Sequence, residues 1–245
     1  MSGRTANTTG REQILRSIRS YLAASVKHDE LEQQDHHDAG LMMPAVQPAE
    51  NGDPLSVVEL FQQQVQAVKG HCIVAKSELE IVRALTVIIT ELQATNLKAR
   101  RIALSNAPTL ARLVNLIAVE VNEVCVAPPP LDLFNFDIGI TSAQAAIAET
   151  GTLVLDSSCE RHRLTSLVPP VHIAIVEAAN IHRTLGEGLS ALQSNGNEVS
   201  SIVSFVTGPS RTGDIEMTLT IGVHGPQELY VIVNDGPALE LLAAQ

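Results

Sequence analysis

The residues of this chain best suited to chemistry lie between positions 137 and 235, in blocks that set Gly or Pro beside hydroxyl, carboxylate or guanidinium groups. Each block stands at the edge of an apolar run, which is where a strand ends and a ligand can approach the backbone. The pattern therefore predicts a binding site. The blocks are residues 139–142 with 148–152, residues 167–172, and residues 207–216.

Glu149 is the candidate catalytic group. It follows a predicted short helix over residues 142–148, which the capping pattern of Thr141 and Gln144 favours, and it precedes Gly151 and an apolar strand. A carboxylate in this place can face the carboxyl ends of the strands, where open α/β sheets bind ligands, and it can form an acyl intermediate. The alternative is that Glu149 bonds nearby backbone donors and holds the turn.

Arg211 is the candidate anchor for an anion, because it stands on a Gly-rich loop between Ser210 and Thr212. A guanidinium presented in this way suits bidentate recognition of a carboxylate or a phosphate. The alternative is an internal salt bridge to Asp214 or Glu216 that locks the loop. An arginine can serve both purposes when one acid orients it for a ligand.

Two histidines stand beside turns. His172 follows Pro169 and Pro170 at the start of an apolar strand, and His224 precedes a Gly-Pro turn. Each ring either points into the site or bonds a buried carbonyl. Neither belongs to an HxxxH or HxH pair, so a metal centre is not predicted. Arg161 and Arg163 either extend an anion pocket or lie in a solvated loop.

Five of these residues are expected to meet at one edge of the sheet, since the strand-to-turn junctions of successive βα units share one face. They are Glu149, His172, Arg211, Asp214 and Glu216. Glu149 is the predicted catalytic residue. The predicted ligand-binding residues are Thr141, Thr150, His172, Ser210, Arg211, Thr212, Asp214, Glu216 and His224.

Composition excludes several classes of protein. The formal net charge is −11 and aromatic residues are 2% of the chain, which disfavours both phosphate-backbone contacts and stacking on bases. No run approaches the length of a membrane span, and the first residues lack the apolar core of a signal peptide, so a cytoplasmic protein is expected. Cys72, Cys125 and Cys159 are far apart, which disfavours a disulfide framework and an iron-sulfur cluster within the chain.

The elements that must position these residues alternate between helix and strand. Residues 1–27 are predicted to contain a helix, residues 28–53 an acidic flexible linker, and residues 54–245 one α/β domain. His28, His36 and His37 lie in the linker, as metal ligands or as part of a solvated segment. Strands alternating with helices imply a mostly parallel sheet flanked by helices. Neither a P-loop nor a GxGxxG fingerprint is present.

The same three blocks, together with the Gly-Val-His-Gly-Pro sequence at 222–226, resemble the LUD domain of the lactate-utilisation protein C family. The resemblance implies the fold of sugar-phosphate isomerases and CoA transferases. It also implies a non-redox subunit that supports oxidation of L-lactate to pyruvate, with a small carboxylate as a candidate ligand. This chain would hold no cofactor, and the iron-sulfur clusters would belong to partner subunits.

The related fold leaves two further functions open. One is an independent enzyme of the CoA-transferase or isomerase kind, acting on a small carboxylate or its thioester, because a glutamate at a comparable turn is the nucleophile of CoA transferases. The other is a regulatory sensor of small acids. Fold does not decide between them.

Overall fold

The computed structural model describes residues 55–95, 99–157, 163–194, 202–213, 219–221 and 225–239. The predicted N-terminal helix and the acidic linker lie outside these ranges. The helices are α1 Val57–Ala67, α2 Glu78–Ala94, α3 Pro108–Asn115 and α4 Leu185–Ser194. The strands are β1 His71–Ala75, β2 Arg101–Leu104, β3 Glu123–Val126, β4 Ile138–Ala143, β5 Ala145–Ile147, β6 Thr152–Asp156, β7 Val171–Glu177, β8 Ile181–His182, β9 Val203–Thr207, β10 Arg211–Gly213, β11 Leu219–Ile221 and β12 Glu228–Asn234.

Six of the strands form a sheet in the order β1-β12-β7-β4-β2-β3, and all its neighbouring pairs are parallel. The central strands are short aliphatic runs, and β7 is buried along residues 171–176. Such runs suit a parallel sheet that is covered on both faces. The predicted α/β fold with a mostly parallel sheet is confirmed.

Two of the helices begin at serine caps. Ser56 accepts a hydrogen bond from the Glu59 amide while the Glu59 carboxylate accepts from the Ser56 amide, a capping box that starts α1. The Ser77 hydroxyl accepts from the Glu80 amide at the start of α2. Each cap satisfies amide groups that have no partner within the first turn of a helix.

A second sheet, in the order β8-β5-β6-β9, overturns one prediction. Residues 142–148 are not a helix, because β4 continues to Ala143 and β5 spans Ala145–Ile147. The capping pattern of Thr141 and Gln144 is outweighed by burial, since Thr141 lies inside the main sheet and residues 145–147 are fully covered. The Gln144 side chain instead accepts a hydrogen bond from the Asp156 amide.

Asn180 is a residue type that favours a helix start and predicts a helix from there, but the helix starts later. Residues 178–180 form a 3-10 turn, β8 follows, and α4 begins at Leu185. The Thr184 hydroxyl accepts from the Glu187 amide, and the Glu187 carboxylate accepts from the Arg183 and Thr184 amides. This reciprocal arrangement sets the start of the helix.

The two faces of the main sheet pack in different layers. On β7, Val171, Ile173 and Ile175 belong to the core formed with α2 and α3, whereas Ala174 and Val176 belong to the core formed with α1 and the second sheet. Because side chains alternate along a strand, His172 lies on the side of the second sheet. This layer positions the site described next.

Candidate functional site

A cleft of about 400 Å³ lies where β7 and β12 begin, beside the end of β9. His172 and Leu229 are the second residues of their strands and are paired in the parallel register. The cleft is thus at the amino ends of these strands, whereas the sequence predicts a site at their carboxyl ends. Its lining consists of Ser166, Leu167, His172, Phe205, Val206, Thr207, Gly208, Pro209, Ser210, Gly225, Pro226 and Leu229.

His172 is the most unusual polar group of the cleft, because its side chain is completely buried. Its Nε2 atom lies 2.9 Å from the hydroxyl of Thr141 on the neighbouring strand β4. Its Nδ1 atom is buried and has no hydrogen-bond partner in the described part of the chain. Burial lowers the pKa of His172 to about 4, since the charged ring would lose its hydration. The imidazole is neutral at physiological pH.

The turn before β7 closes over β4 beside His172. Residues 163–166 form a 3-10 helix, and the carbonyl of Thr165 lies so close to Gly139 that a Cβ atom there would clash with it. Gly139 is the register partner of His172. The hydroxyl of Thr165 is also buried without a partner among the described residues. Two unsatisfied polar groups therefore lie near the same end of β7.

A chain of hydroxyl groups leads to the wall of the cleft. The Thr150 and Thr152 hydroxyls are 2.7 Å apart, and the Thr152 hydroxyl is 2.7 Å from that of Thr207. Thr152 and Thr207 face each other in the antiparallel pair of β6 and β9. Thr207 and Ser210 line the cleft. The Ser210 amide donates to the Pro226 carbonyl, which ties the loop after β9 to the start of β12.

Arg211 lies next to the cleft but is exposed. Its Nη2 donates to the carbonyl of Val68, the residue that ends α1, at 2.7 Å. A cation at this end of a helix meets the negative end of the helix dipole. Gly208 touches the same carbonyl: a Cβ atom there would lie 2.6 Å from it, and φ of Gly208 is +74°. The loop after β9 is therefore fastened to α1.

Glu149 is exposed and is not among the described residues that line the cleft. Its Oε1 accepts from the Leu185 amide at 3.1 Å, and its own amide donates to the Arg183 carbonyl. Gly151, with φ of +63°, packs directly on the Gln64 and Val65 backbone of α1. In this structure the Glu149 carboxylate holds the start of α4, as in the alternative reading of the sequence.

The structure brings together some of the predicted residues. His172 and Ser210 share the cleft, Thr141 bonds to His172, and Thr150 is joined to the cleft wall through hydroxyl groups. Thr212 lies in β10, paired with Thr220. Asp214, Glu216, His224 and Arg161 lie outside the described residues. That Asp214 and Glu216 meet Glu149, His172 and Arg211 stays a prediction.

The sequence analysis missed several polar residues. Thr165, Ser166 and Thr207 contribute to the cleft or its border, and only their position beside Gly or Pro turns could have marked them. At the opposite ends of the same strands, Asn234 donates to the Glu177 carboxylate at 2.7 Å and to the Pro237 carbonyl. This second polar cluster joins the carboxyl ends of β7 and β12. Its residues are paired in register across the two strands, which is not visible in one sequence.

Comparison with known proteins places this architecture in a family. The family model described as the LUD domain matches residues 58–233, which include the strands of both sheets except for the last residue of β12. The chain belongs to the LUD-domain family. This LUD domain holds no group of three or more His, Cys, Asp or Glu side chains that could bind a metal within its described ranges. Nor does a described helix have the length and apolar character to cross a membrane.

Relatives of this LUD domain are found in several bacteria. It is 40% identical over 103 residues to the lactate utilization protein C of Bacillus subtilis, a match that covers 40% of this chain and 43% of that protein. The Bacillus licheniformis protein of the same name is 39% identical over 103 residues, with the same coverage. An uncharacterized protein of Neisseria meningitidis is 39% identical over 98 residues, or 40% of this chain and 42% of that protein. The matches thus span less than half the length of these relatives.

A solved structure has the same fold. A DUF162 family protein from Deinococcus radiodurans superimposes with a TM-score of 0.53 and 24% identity. The superposition covers 74% of this chain and 99% of the Deinococcus radiodurans chain. This likeness supports the α/β architecture described above.

Proposed function

We propose that this LUD-domain protein acts in lactate utilisation, as a cytoplasmic non-redox subunit that supports oxidation of L-lactate to pyruvate beside iron-sulfur partner subunits. The observation that carries the proposal is the 39–40% identity to two Bacillus proteins named lactate utilization protein C. The segment shared with them is about two-fifths of the chain, so the activity and the partners of the whole protein are both part of the proposal.

The cysteines support the division of labour between subunits. Oxidation of lactate releases two electrons, and a four-thiolate cluster needs four cysteines where this chain has three. Cys72 is buried in β1, and burial raises the pKa of its thiol to about 12, which keeps it protonated. A protonated thiol is a poor metal ligand. We therefore assign the clusters to the partner subunits and no cofactor to this chain.

The geometry of Glu149 bears on the rival function. An independent enzyme of the CoA-transferase kind would use this carboxylate as a nucleophile, yet its Oε1 accepts from the Leu185 amide and the residue stands away from the cleft lining. Its contacts support the subunit function, in which Glu149 has a structural task.

The test is growth of a strain that lacks the chain on L-lactate as sole carbon source. The parent chain should restore growth and should co-purify with subunits that carry the visible absorption of iron-sulfur clusters. Glu149→Gln keeps the oxygen that accepts from Leu185 but removes the nucleophile, so it should restore growth as well. Glu187→Gln, which alters another carboxylate that accepts backbone amides near α4, is the matched control.

Two results would contradict the proposal. If the deletion strain grows normally on L-lactate, the chain has no task in lactate utilisation. If Glu149→Gln abolishes growth while Glu187→Gln restores it, the transferase function is favoured.

A further inference from the structure

The cleft at the amino ends of β7 and β12 has a lining without charge. Its walls are apolar at Phe205, Val206 and Leu229, and hydroxylic at Ser166, Thr207 and Ser210. Apart from the imidazole of His172, the described lining contains no acidic or basic side chain. An ion entering the cleft would lose hydration without gaining a counterion from these walls, which is costly. The walls therefore favour an uncharged molecule.

His172 adds one buried imidazole to the lining of the cleft. One ring nitrogen is held by Thr141, and the other is buried and unpartnered within the described residues. Leaving such a group unsatisfied is unfavourable, and a ligand that reaches it recovers part of this cost. The Thr141 hydroxyl can donate or accept, so the neutral ring can offer Nδ1 either as a donor or as an acceptor. A carbonyl or a hydroxyl of a ligand would match it.

The size of the cleft sets the size of the ligand. Its volume is about 400 Å³. A water molecule occupies roughly 30 Å³ of the liquid, so this space equals about a dozen waters, and it falls within the range of about 300–1,000 Å³ of small-molecule sites. A molecule as small as lactate would leave most of it unfilled. A ligand of roughly 10–20 non-hydrogen atoms would fill the cleft.

We propose that this cleft binds an uncharged, largely apolar small molecule through a hydrogen bond from its carbonyl or hydroxyl group to the imidazole of His172. The inference is carried by the buried ring nitrogen, which has no partner among the described residues, and by the described walls, which are apolar or hydroxylic. It goes beyond the task in lactate utilisation and does not rest on it, because it concerns binding by the purified chain.

The test uses prodan, an uncharged naphthalene ketone whose emission shifts to shorter wavelength in an apolar site. Prodan should bind the full-length chain with one-to-one stoichiometry. The anionic naphthalene dye ANS should bind at least tenfold more weakly. Leu167→Trp, which narrows the cleft at a half-exposed lining residue, should weaken prodan binding at least tenfold. Leu131→Trp is the matched control, because Leu131 is 82% exposed and is not a lining residue.

The contact with His172 is read directly by nitrogen NMR of histidine-labelled protein. Addition of prodan should shift the Nδ1 resonance of His172, which the spectrum of His172→Gln identifies, and leave that of exposed His71 unchanged. This measurement requires only that His172→Gln folds well enough to give a native spectrum, and the prodan titration itself uses the parent chain. Equal binding of prodan and ANS, equal binding by Leu167→Trp and Leu131→Trp, or an unshifted Nδ1 resonance at saturating prodan would each overturn the proposal.

Discussion

The hydroxyl of Thr141 lies 2.9 Å from Nε2 of His172, and it joins neighbouring strands of the main sheet at a point that is closed to solvent. The two residues are 31 positions apart in the chain. Without this contact, the Thr141 hydroxyl and Nε2 of His172 would each be a buried polar group that lacks this hydrogen bond. Their pairing fixes the ring of His172 and leaves its second nitrogen without a partner among the described residues.

We predict that Thr141→Val destabilises the protein by about 1–3 kcal/mol, because the substitution keeps the shape of the side chain but leaves Nε2 of His172 without its partner. Thr90→Val is the matched control. Thr90 is an exposed threonine whose hydroxyl donates to the Thr86 carbonyl within α2, and its loss should cost less than about 0.5 kcal/mol. Urea unfolding at pH 7 measures both. Equal losses would show that the Thr141 bond contributes nothing special.

The folded protein should lose stability as the pH falls from about 6.5 to about 4. The pKa of His172 is lowered from 6.5 to about 4 by burial, so between these values the unfolded chain binds a proton that the folded chain does not. Stability therefore rises with pH through this window, and the contribution of His172 amounts to about 3 kcal/mol.

Comparison of the parent with His172→Gln isolates this effect. The variant lacks the titrating ring, whereas the carboxylates titrate in both proteins. The difference in unfolding free energy between pH 7 and pH 4 should be smaller for the variant by about 3 kcal/mol. Identical pH profiles would mean that His172 titrates normally and is not buried as described.

Two glycines should respond in opposite directions to alanine. At Gly139 the added Cβ atom would clash with the Thr165 carbonyl, so the turn over β4 must move, and we expect a loss of about 3 kcal/mol or more. At Gly186, an exposed position in α4, the added atom meets nothing within 4 Å. There the substitution should stabilise the protein by about 0.5 kcal/mol. Thermal unfolding of the two variants tests the pair, and a tolerated Gly139→Ala would contradict the close approach.

Arg211 is predicted to bind an anionic ligand in addition to its hydrogen bond at the end of α1. Its guanidinium has five N–H donors, of which the bond from Nη2 to Val68 uses one. Arg211→Lys keeps the charge at the end of the helix, so stability should change by less than about 1 kcal/mol. The planar fork is lost, so growth of the complemented strain on L-lactate should fall.

Arg183→Lys is the matched control for this substitution. Arg183 is also exposed, and its Nη2 donates to the Leu55 carbonyl just before the other end of α1, at 3.2 Å. This variant should support growth as well as the parent does. Growth of Arg211→Lys equal to that of Arg183→Lys would leave Arg211 with its structural bond alone.

Local sequence patterns were sufficient for most of the fold. The aliphatic runs at residues 71–75 and 171–176 and the Ser77 cap depend on neighbouring residues, so strand and helix could be predicted there. The helix prediction for residues 142–148 was wrong because the capping pattern of Thr141 and Gln144 is local. Burial between two sheets is set by partner strands far along the chain.

The site was less predictable for the same reason. His172 and Ser210 could be singled out by the Gly and Pro residues near them, and both line the cleft. That the cleft lies at the amino ends of the strands depends on where β9 returns against β6. The hydroxyl chain from Thr150 to Thr207 spans this pairing, and nothing in one sequence marks it.

The order of the main sheet has a consequence for synthesis of the protein. The first strand, β1, has β12 as its neighbour, and β12 is also the last strand along the described chain. Until residues 228–234 have left the ribosome, the backbone groups of β1 that pair with β12 in the folded protein have no partner strand. At about 5–20 residues per second, translation from the end of β1 to the end of β12 takes roughly 8–30 seconds. A nascent chain exposing an apolar strand edge for that time is a natural client for a chaperone.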